Sequence, residues 1–326
     1  MDLSVVIVNW NVRDLLRACL ASLYAAPGAV LLADGTLQLG AYRVEVLVVD
    51  NASSDGSVAM LRAEFPRVTA VDSGANLGYT GGNNLALGRC RGRYALLLNP
   101  DTRVLDAALT TLLDYAEAHP DVGVVGPRLV YGDGSPAPAR YRFPTLATAL
   151  MESTRLEELF PRNRWTRRYH MADTPDDATQ DVGWVTGACV LVRRAAWERV
   201  GLLDEAFFMY SEEVDWCRRM ANDGWRVVYL PTAVVVHYEG RSSAQVSAAR
   251  HIRFQTSKIH YFRKHHGRLQ AGVLRGCLWL DYLMRLVEEC AKYLVGHKRA
   301  LRRERLAIYW QVLRSGLRSP EKGARP

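Results

Sequence analysis

Apolar positions in the first 130 residues fall into two alternating patterns. Leu3–Asn9, Val44–Asp50, Val68–Asp72, Tyr94–Leu98 and Val122–Val125 are apolar runs that predict strands, the first without polar alternation, as for a strand covered on both faces. Between them, Val12–Tyr24 has apolar residues at 12, 15, 16, 19, 20 and 23, the spacing of one helix face. Ser57–Phe65, Gly81–Cys90 and Ala107–His119 also predict helices. Strands alternating with helices imply an α/β fold, a mostly parallel, doubly wound sheet with right-handed crossovers. Ala25–Tyr42 is long for a helix-to-strand connection and predicts an excursion such as a hairpin.

From Arg128 to Asp181 the pattern weakens, broken by Gly132-Asp133-Gly134 and by prolines at 136, 138 and 144. Met151–Arg168 is expected to be a helical segment covering the site. A strand over Trp184–Val192, a helical turn over Ala195–Val200 and a helix over Glu212–Asn222 follow, then strands near Val227–Leu230 and Ala233–His237. Beyond Arg250 the chain reads as helix to roughly position 315. In Val273–Val295 the apolar positions share one broad face, but Arg275, Asp281, Arg285, Glu288, Glu289 and Lys292 break the segment. It is expected not to span a bilayer but to pack on the body, pair with another subunit or lie at a membrane surface. The expected organisation is an α/β ligand-binding and catalytic domain over 1–245 and a basic, amphipathic helical region over 246–326.

Charge sharpens that division. The chain of 326 residues has a net charge of +8, yet residues 241–326 carry 19 Lys/Arg against 5 Asp/Glu while the rest carries 23 against 29. A cationic tail behind an acidic body suits an anionic surface or simply a solvated helical face. The six cysteines, at 19, 90, 189, 217, 277 and 290, form no CxxC pair and no Cys/His cluster, which disfavours a disulfide scaffold or zinc ribbon and points to a reducing compartment. The opening MDLSVVIVNWN lacks a basic stretch before its apolar run and reads as a strand rather than a signal peptide.

Ligands of doubly wound sheets collect at the carboxyl ends of strands, and here those ends are polar. They read Val8-Asn9-Trp10-Asn11, Asp50-Asn51-Ala52-Ser53-Ser54-Asp55, Asn76-Leu77-Gly78-Tyr79-Thr80-Gly81-Gly82 and Asn99-Pro100-Asp101-Thr102. Asp55 is expected to cap a helix, and glycines 78, 81 and 82 to let backbone approach a ligand. No GxGxxG follows the first strand and no GxxxxGK[ST] occurs, which disfavours a dinucleotide cofactor and a P-loop. Asp101 is either a turn residue or a ligand for a hard divalent cation bridging phosphates. Further on, Phe207-Phe208-Met209-Tyr210 runs into Glu212, Glu213 and Asp215 at a helix start. Acids there complement the helix dipole, and Asp215 can pair with Arg219 four residues on; a carboxylate base behind an aromatic wall is the other reading. His237 closes a strand, as a structural histidine or a metal ligand.

In this order, SVVIVNWN, VLVVDNASSDGS, NLGYTGGNN, LLLNPDT, WVTGACVLVRRAAWERVGLLDE, FFMYSEEVDWCRR and VVHYEGRSS resemble the family 2 glycosyltransferases of the GT-A fold, most closely the non-processive, rhamnosyltransferase-like branch. The resemblance covers about residues 3–265. It implies that Val8, Asn9 and Asp50 hold the base of a nucleoside-diphosphate-sugar, that Asn76 and Gly78 follow base and ribose, and that Asp101, with His237, ligates Mn2+ or Mg2+ on the diphosphate. Asn99 stands where many relatives have the first Asp of DxD, which suggests a ribose contact instead. Glu213 takes the place of the catalytic base, with Trp184, Glu212 and Asp215 on the acceptor side. An inverting transfer of one sugar, rhamnose from dTDP-rhamnose by preference, to a saccharide or polyprenyl-diphosphate-linked saccharide is the implied reaction. The QxxRW motif of processive synthases is absent. Expected surroundings are the cytoplasm or the inner face of the membrane, with peripheral membrane contact or a homodimer and no nucleic acid. A sugar-phosphate nucleotidyltransferase would want a glycine-rich, basic loop after the first strand, where this chain has a single Arg13. A non-catalytic carbohydrate or nucleic-acid binder would leave the carboxylates at 212, 213 and 215 unused.

Overall fold

The computed structural model describes residues 1–238, 247–296 and 298–318; the EGRSS part of the block that ends the similarity lies outside the described residues. In chain order the elements are β1 (Leu3–Asn9), α1 (Arg13–Tyr24), β2 (Ala29–Leu31), β3 (Leu37–Leu39), β4 (Tyr42–Asp50), α2 (Ser57–Glu64), β5 (Thr69–Asp72), α3 (Gly78–Leu87), β6 (Tyr94–Leu98) and β7 (Thr102–Val104). Next come α4 (Ala108–Ala118), β8 (Val122–Val130), β9 (Pro136–Ala137), β10 (Arg140–Tyr141), α5 (Leu146–Ser153), α6 (Leu156–Leu159), α7 (Arg164–Tyr169), β11 (Gln180–Asp181), β12 (Trp184–Val185) and β13 (Cys189–Arg193). The chain continues through α8 (Arg194–Val200), α9 (Glu212–Asn222), β14 (Arg226–His237), α10 (Ser247–His265), α11 (Gly267–Leu294) and α12 (Arg299–Ser315).

These elements form two compact units, each with its own packing. One comprises Met1–Phe143, His170–Phe208 and the described residues from Glu212 through β14; the other comprises Pro144–Tyr169, Met209–Ser211 and the described residues after position 246. The weakly patterned stretch 144–169 therefore packs with the C-terminal helices, across the expected boundary at 245.

The α/β unit is organised by a mixed sheet in the order β11-β14-β8-β13-β6-β1-β4-β3-β2, with β5 on β4, β7 on β14 and β9 on β8. Its centre, β6-β1-β4, is parallel and largely buried on both faces, which is why these runs show little polar alternation, while β5, parallel to β4, is mostly exposed. The excursion between α1 and β4 is the hairpin β2–β3. The sheet is mixed: β3 runs antiparallel to β4, and β13 runs antiparallel to both β6 and β8. The reversal at β13 sets the site. It brings the residues preceding β13 to the edge where β1, β4 and β6 end, and β14, parallel to β8, delivers His237 to the same edge.

Three sequence expectations change here. The apolar run Trp184–Val192 is two strands, because Thr186 turns aside to bond its N–H to Ala139 O (3.0 Å) while Ala188 O accepts the Asn99 N–H (2.8 Å). The two strands expected around 227–237 are one, β14, irregular between Leu230 and Val234, beside Pro231, whose ring nitrogen has no hydrogen to donate. Asp55 is not the N-cap of either helix, a place taken by Val12 and Gly56, but it bonds the start of both: Oδ2 accepts the N–H of Arg13 (2.7 Å), the first residue of α1, and Oδ1 accepts that of Ser57 (3.0 Å), the first of α2.

In the helical unit, Asp281 of α11 accepts the Arg155 N–H (2.9 Å) and pairs with Arg285 Nε (2.6 Å). Glu289 meets Arg302 of α12 at 2.8 Å with both side chains nearly sealed from water. Leu274, Leu278, Tyr282 and Val312 supply apolar packing.

Candidate active site

The first cluster forms where β1 and β4 end in register, Asn9 opposite Asp50. Asn9 is buried; its Nδ2 donates to Asp50 Oδ1 (2.9 Å) and to Ser53 Oγ (3.1 Å). Asp50 Oδ2 accepts the Ser53 N–H (2.9 Å). With its amide nitrogen so engaged, Asn9 leaves Oδ1 buried with no protein donor. Asn51 repeats the arrangement: Nδ2 donates to Gly78 O (2.9 Å) and Oδ1 is a buried, unmatched acceptor. Two such acceptors at a strand edge suit a ligand that offers N–H or O–H groups.

The glycines next to this cluster serve close packing. Gly78 sits at φ 74, and a Cβ there would lie 2.3 Å from Phe208 O. A Cβ on Gly82 would come within 2.6 Å of Val8 Cγ1. The small residues let α3 seat against Phe208 and β1, with protein on the Cβ side of Gly78 and Gly82. Asn76 Oδ1 accepts the Gly78 N–H (2.9 Å), closing the turn into α3.

The second cluster joins Asp101 to His237. Asp101 is 4% exposed, and its Oδ1 lies 3.4 Å from His237 Nε2. The backbone fixes both, since His237 is opposite Thr102 in the ladder and Asp101 O accepts the Tyr238 N–H (2.8 Å). Asn99 O accepts from Thr102 Oγ1 (2.7 Å), above the buried Cys19 thiol, whose pKa burial pushes up to about 12. Among the described residues no three His, Cys, Asp or Glu side chains form a metal cluster. A hard divalent cation bound with a nucleotide commonly takes one or two protein ligands and completes its shell with phosphate oxygens and water. The Asp101–His237 pair fits that donor set.

The third cluster opens α9. Glu212 is buried, and Oε2 of both Glu212 and Glu213 is sealed with no hydrogen-bond partner. Burial holds the Glu213 carboxyl up to about 7, against an ordinary 4.5. Burial, then the neighbouring Glu213 charge, raises Glu212 well above its usual range. Both carboxyls therefore hold their protons to higher pH than an ordinary glutamate, and Glu213 exchanges its own near neutrality. Tyr79, which the sequence reading did not single out, donates its hydroxyl to Gly187 O (2.8 Å) and flanks the pair. Burial, then Glu212 and Glu213, holds that phenol protonated. Gly187 is the hub: the position of a Cβ there lies 3.5 Å from the Tyr79 hydroxyl and 3.7 Å from Glu213 Oε1. The next residue, Ala188, bonds Asn99, so this cluster adjoins the strand end that carries Asp101.

Two candidates fall outside this gathering. Asp215 is completely buried and paired with Arg219 (2.9 Å), whose guanidinium also donates to Val200 O and Leu202 O at 2.7 Å. It is corrected from an acceptor contact to a strut holding the chain ahead of α9. Trp184 is buried with its ring stacked on Tyr141, 4.1 Å between centroids and 8° from coplanar, which makes it a packing element of the small β10–β12 sheet.

Residues 4–201 match the family described as Glycosyl transferase family 2. The chain belongs to glycosyl transferase family 2. The transferase is 35% identical over 255 residues, 73% of this chain and 81% of the other, to the N-acetylglucosaminyl-diphospho-decaprenol L-rhamnosyltransferase of Mycobacterium tuberculosis. It is 25% identical over 215 residues to Rhamnosyltransferase WbbL of Escherichia coli, covering 60% of this chain and 72% of that one. Among solved structures it is similar to the mannosyltransferase PcManGT from Pyrobaculum calidifontis in complex with GDP-Man and Mn2+, at 17% identity and a TM-score of 0.56, covering 97% and 84% of the two chains. That likeness carries the fold: the transferase has the GT-A arrangement, a mixed α/β sheet, with a helical C-terminal region.

Proposed function

We propose that this glycosyltransferase moves a single rhamnose from dTDP-rhamnose to a hydroxyl of a polyprenyl-diphosphate-linked saccharide, with inversion at the anomeric carbon. The observation that carries the reading is Glu213, a carboxylate with an unpartnered oxygen and a pKa near 7, one residue contact away from the Asn99–Asp101 strand end. The rhamnosyl donor and lipid-linked acceptor rest on the relatives' names.

One of the two free acceptors, Asn9 Oδ1 or Asn51 Oδ1, would take the single imide N–H of a thymine or uracil base, which leaves the other for a hydroxyl of the donor. Asp101 and His237 would hold Mn2+ or Mg2+, which when bound supplies positive charge to the diphosphate. Glu213 takes the proton of the acceptor hydroxyl as that oxygen forms its bond to the anomeric carbon. The bond from that carbon to the diphosphate oxygen breaks on the opposite face, and its electron pair leaves with the nucleoside diphosphate. Burial and the neighbouring Glu213 charge both favour the protonated form of Glu212, which limits negative charge beside the base. The Glu213→Gln enzyme is expected to release dTDP about 10²–10⁴-fold more slowly with dTDP binding retained. Near-normal turnover in a folded variant would refute the base assignment.

A further inference from the structure

The long helix α11 is two-sided in an unusual way. It runs 28 residues, about 42 Å at the helical rise. Ala271, Leu274, Leu278, Asp281, Tyr282 and Glu289 are buried within the helical unit. Away from them lies a strip of Leu269, Val273, Leu280, Val287 and Leu294, the last four spaced by seven, with Gly276, Met284 and Ala291 between. At 100° per residue these positions stay on one narrow face along the whole helix. None of them is charged. Leu280 is 52% exposed, Val287 62% and Leu294 77%, and Trp279, Tyr293 and Trp310 of α12 are exposed too. A solvent-facing apolar strip of this length marks a contact surface.

Charge identifies what covers it. Residues 247–318 carry sixteen Lys/Arg against four acids. Three of those acids are taken up internally: Asp281 by Arg285, Glu288 by Lys292 and Arg155, Glu289 by Arg302. A second copy would bring the same positive field against this one, whereas an anionic bilayer offers both the opposite charge and an apolar layer beneath. Exposed Trp and Tyr belong at the boundary between the two. Elsewhere in the same unit, Leu159, Phe160 and Trp165 are exposed beside Arg162 and Arg164, and Phe160 and Trp165 line an apolar cavity of about 670 Å3. Charges on the remaining faces of α11 keep it from crossing the bilayer; among the described residues no helix is long and apolar enough to do so.

We propose that the helical unit docks on an anionic bilayer with the exposed strip of α11 lying in the headgroup–acyl boundary. The proposal goes beyond the transferase reading, because nucleoside diphosphate binding belongs to the α/β unit and is measured separately. The test is co-sedimentation of the full chain with vesicles of equal phosphatidylglycerol and phosphatidylcholine, and with phosphatidylcholine alone. Expected is salt-sensitive binding to the anionic vesicles, lowered about tenfold by Leu280→Glu with Val287→Glu while dTDP thermal shift and mass in light scattering stay unchanged. Wild-type binding by that variant overturns the proposal, as does a wild-type dimer that the variant converts to monomer. Should the variant fail to fold, the unmodified protein decides. Cys277 and Cys290 are exposed and the other four cysteines buried, so an environment-sensitive thiol dye reports on α11. A blue shift on adding anionic vesicles supports the proposal, and an unchanged spectrum overturns it.

Discussion

Replacing Glu213 by glutamine should abolish transfer and at the same time stabilise the protein, in a manner set by pH. In the unfolded chain the carboxyl loses its proton near the ordinary 4.5, whereas in the fold it holds on until about 7. Between those values the folded state binds the extra proton, so wild-type stability falls as pH rises through the window and the deficit is complete above pH 7. A displacement of that size corresponds to about 3 kcal/mol as a ceiling. The Glu213 side chain keeps a partly open surface, which brings the working figure nearer to 2 kcal/mol. Glutamine has the same shape and no charge, so it escapes the deficit. Melting curves by differential scanning fluorimetry should coincide for the two proteins near pH 4.5 and separate by about 4–8 °C at pH 8, glutamine higher. A glutamine variant that melts lower at pH 8, or a separation that ignores pH, would refute the burial argument and with it the assignment of Glu213 as a poised base.

Gly78→Ala should destabilise by about 3 kcal/mol in urea titration, because both the left-handed φ and the Phe208 carbonyl oppose a Cβ; Gly134→Ala, left-handed but in open space, should cost about 1 kcal/mol. Arg219→Ala should cost about 3–5 kcal/mol by removing the guanidinium from the fully buried Asp215 carboxylate, with the dTDP thermal shift preserved relative to its own baseline. Mn2+ added to dTDP should raise the wild-type melting temperature above that with dTDP alone; Asp101→Asn and His237→Ala should each lose that increment, and retaining it would remove the pair from the proposed metal shell.

The central strands were legible because burial on both faces writes an uninterrupted apolar run, as in Leu3–Asn9 and Tyr94–Leu98. The helix Glu212–Asn222 was legible for the opposite reason, three acids in its first turn followed by Arg218 and Arg219. What escaped depends on contacts between distant residues. Apolar continuity from Trp184 to Val192 hides a turn at Gly187, and only Ala139, Asn99 and Tyr79, each far along the chain, define it. Tyr79 lies inside a glycine-rich stretch that announces a turn, and nothing local says its hydroxyl travels 108 positions to Gly187. The helix pattern likewise places Glu212, Glu213 and Asp215 together without saying which meet the cleft. Asp215 could have been assigned from its spacing to Arg219, the pairing the fold adopts. The segment 144–169 gave little because its partners, Asp281 and Arg285 among them, lie more than a hundred residues downstream.

The position of β13 bears on how the nascent protein reaches its final form. β6 is YALLL, entirely apolar, and one of its two edges is closed only when Cys189–Arg193 arrives, some ninety residues later in synthesis. Until then a greasy edge stands open to any other extended chain. Fragments that stop short of residue 189 should therefore self-associate through β6, and those that stop before β14 should do so through the far edge of β8, which only Arg226–His237 closes.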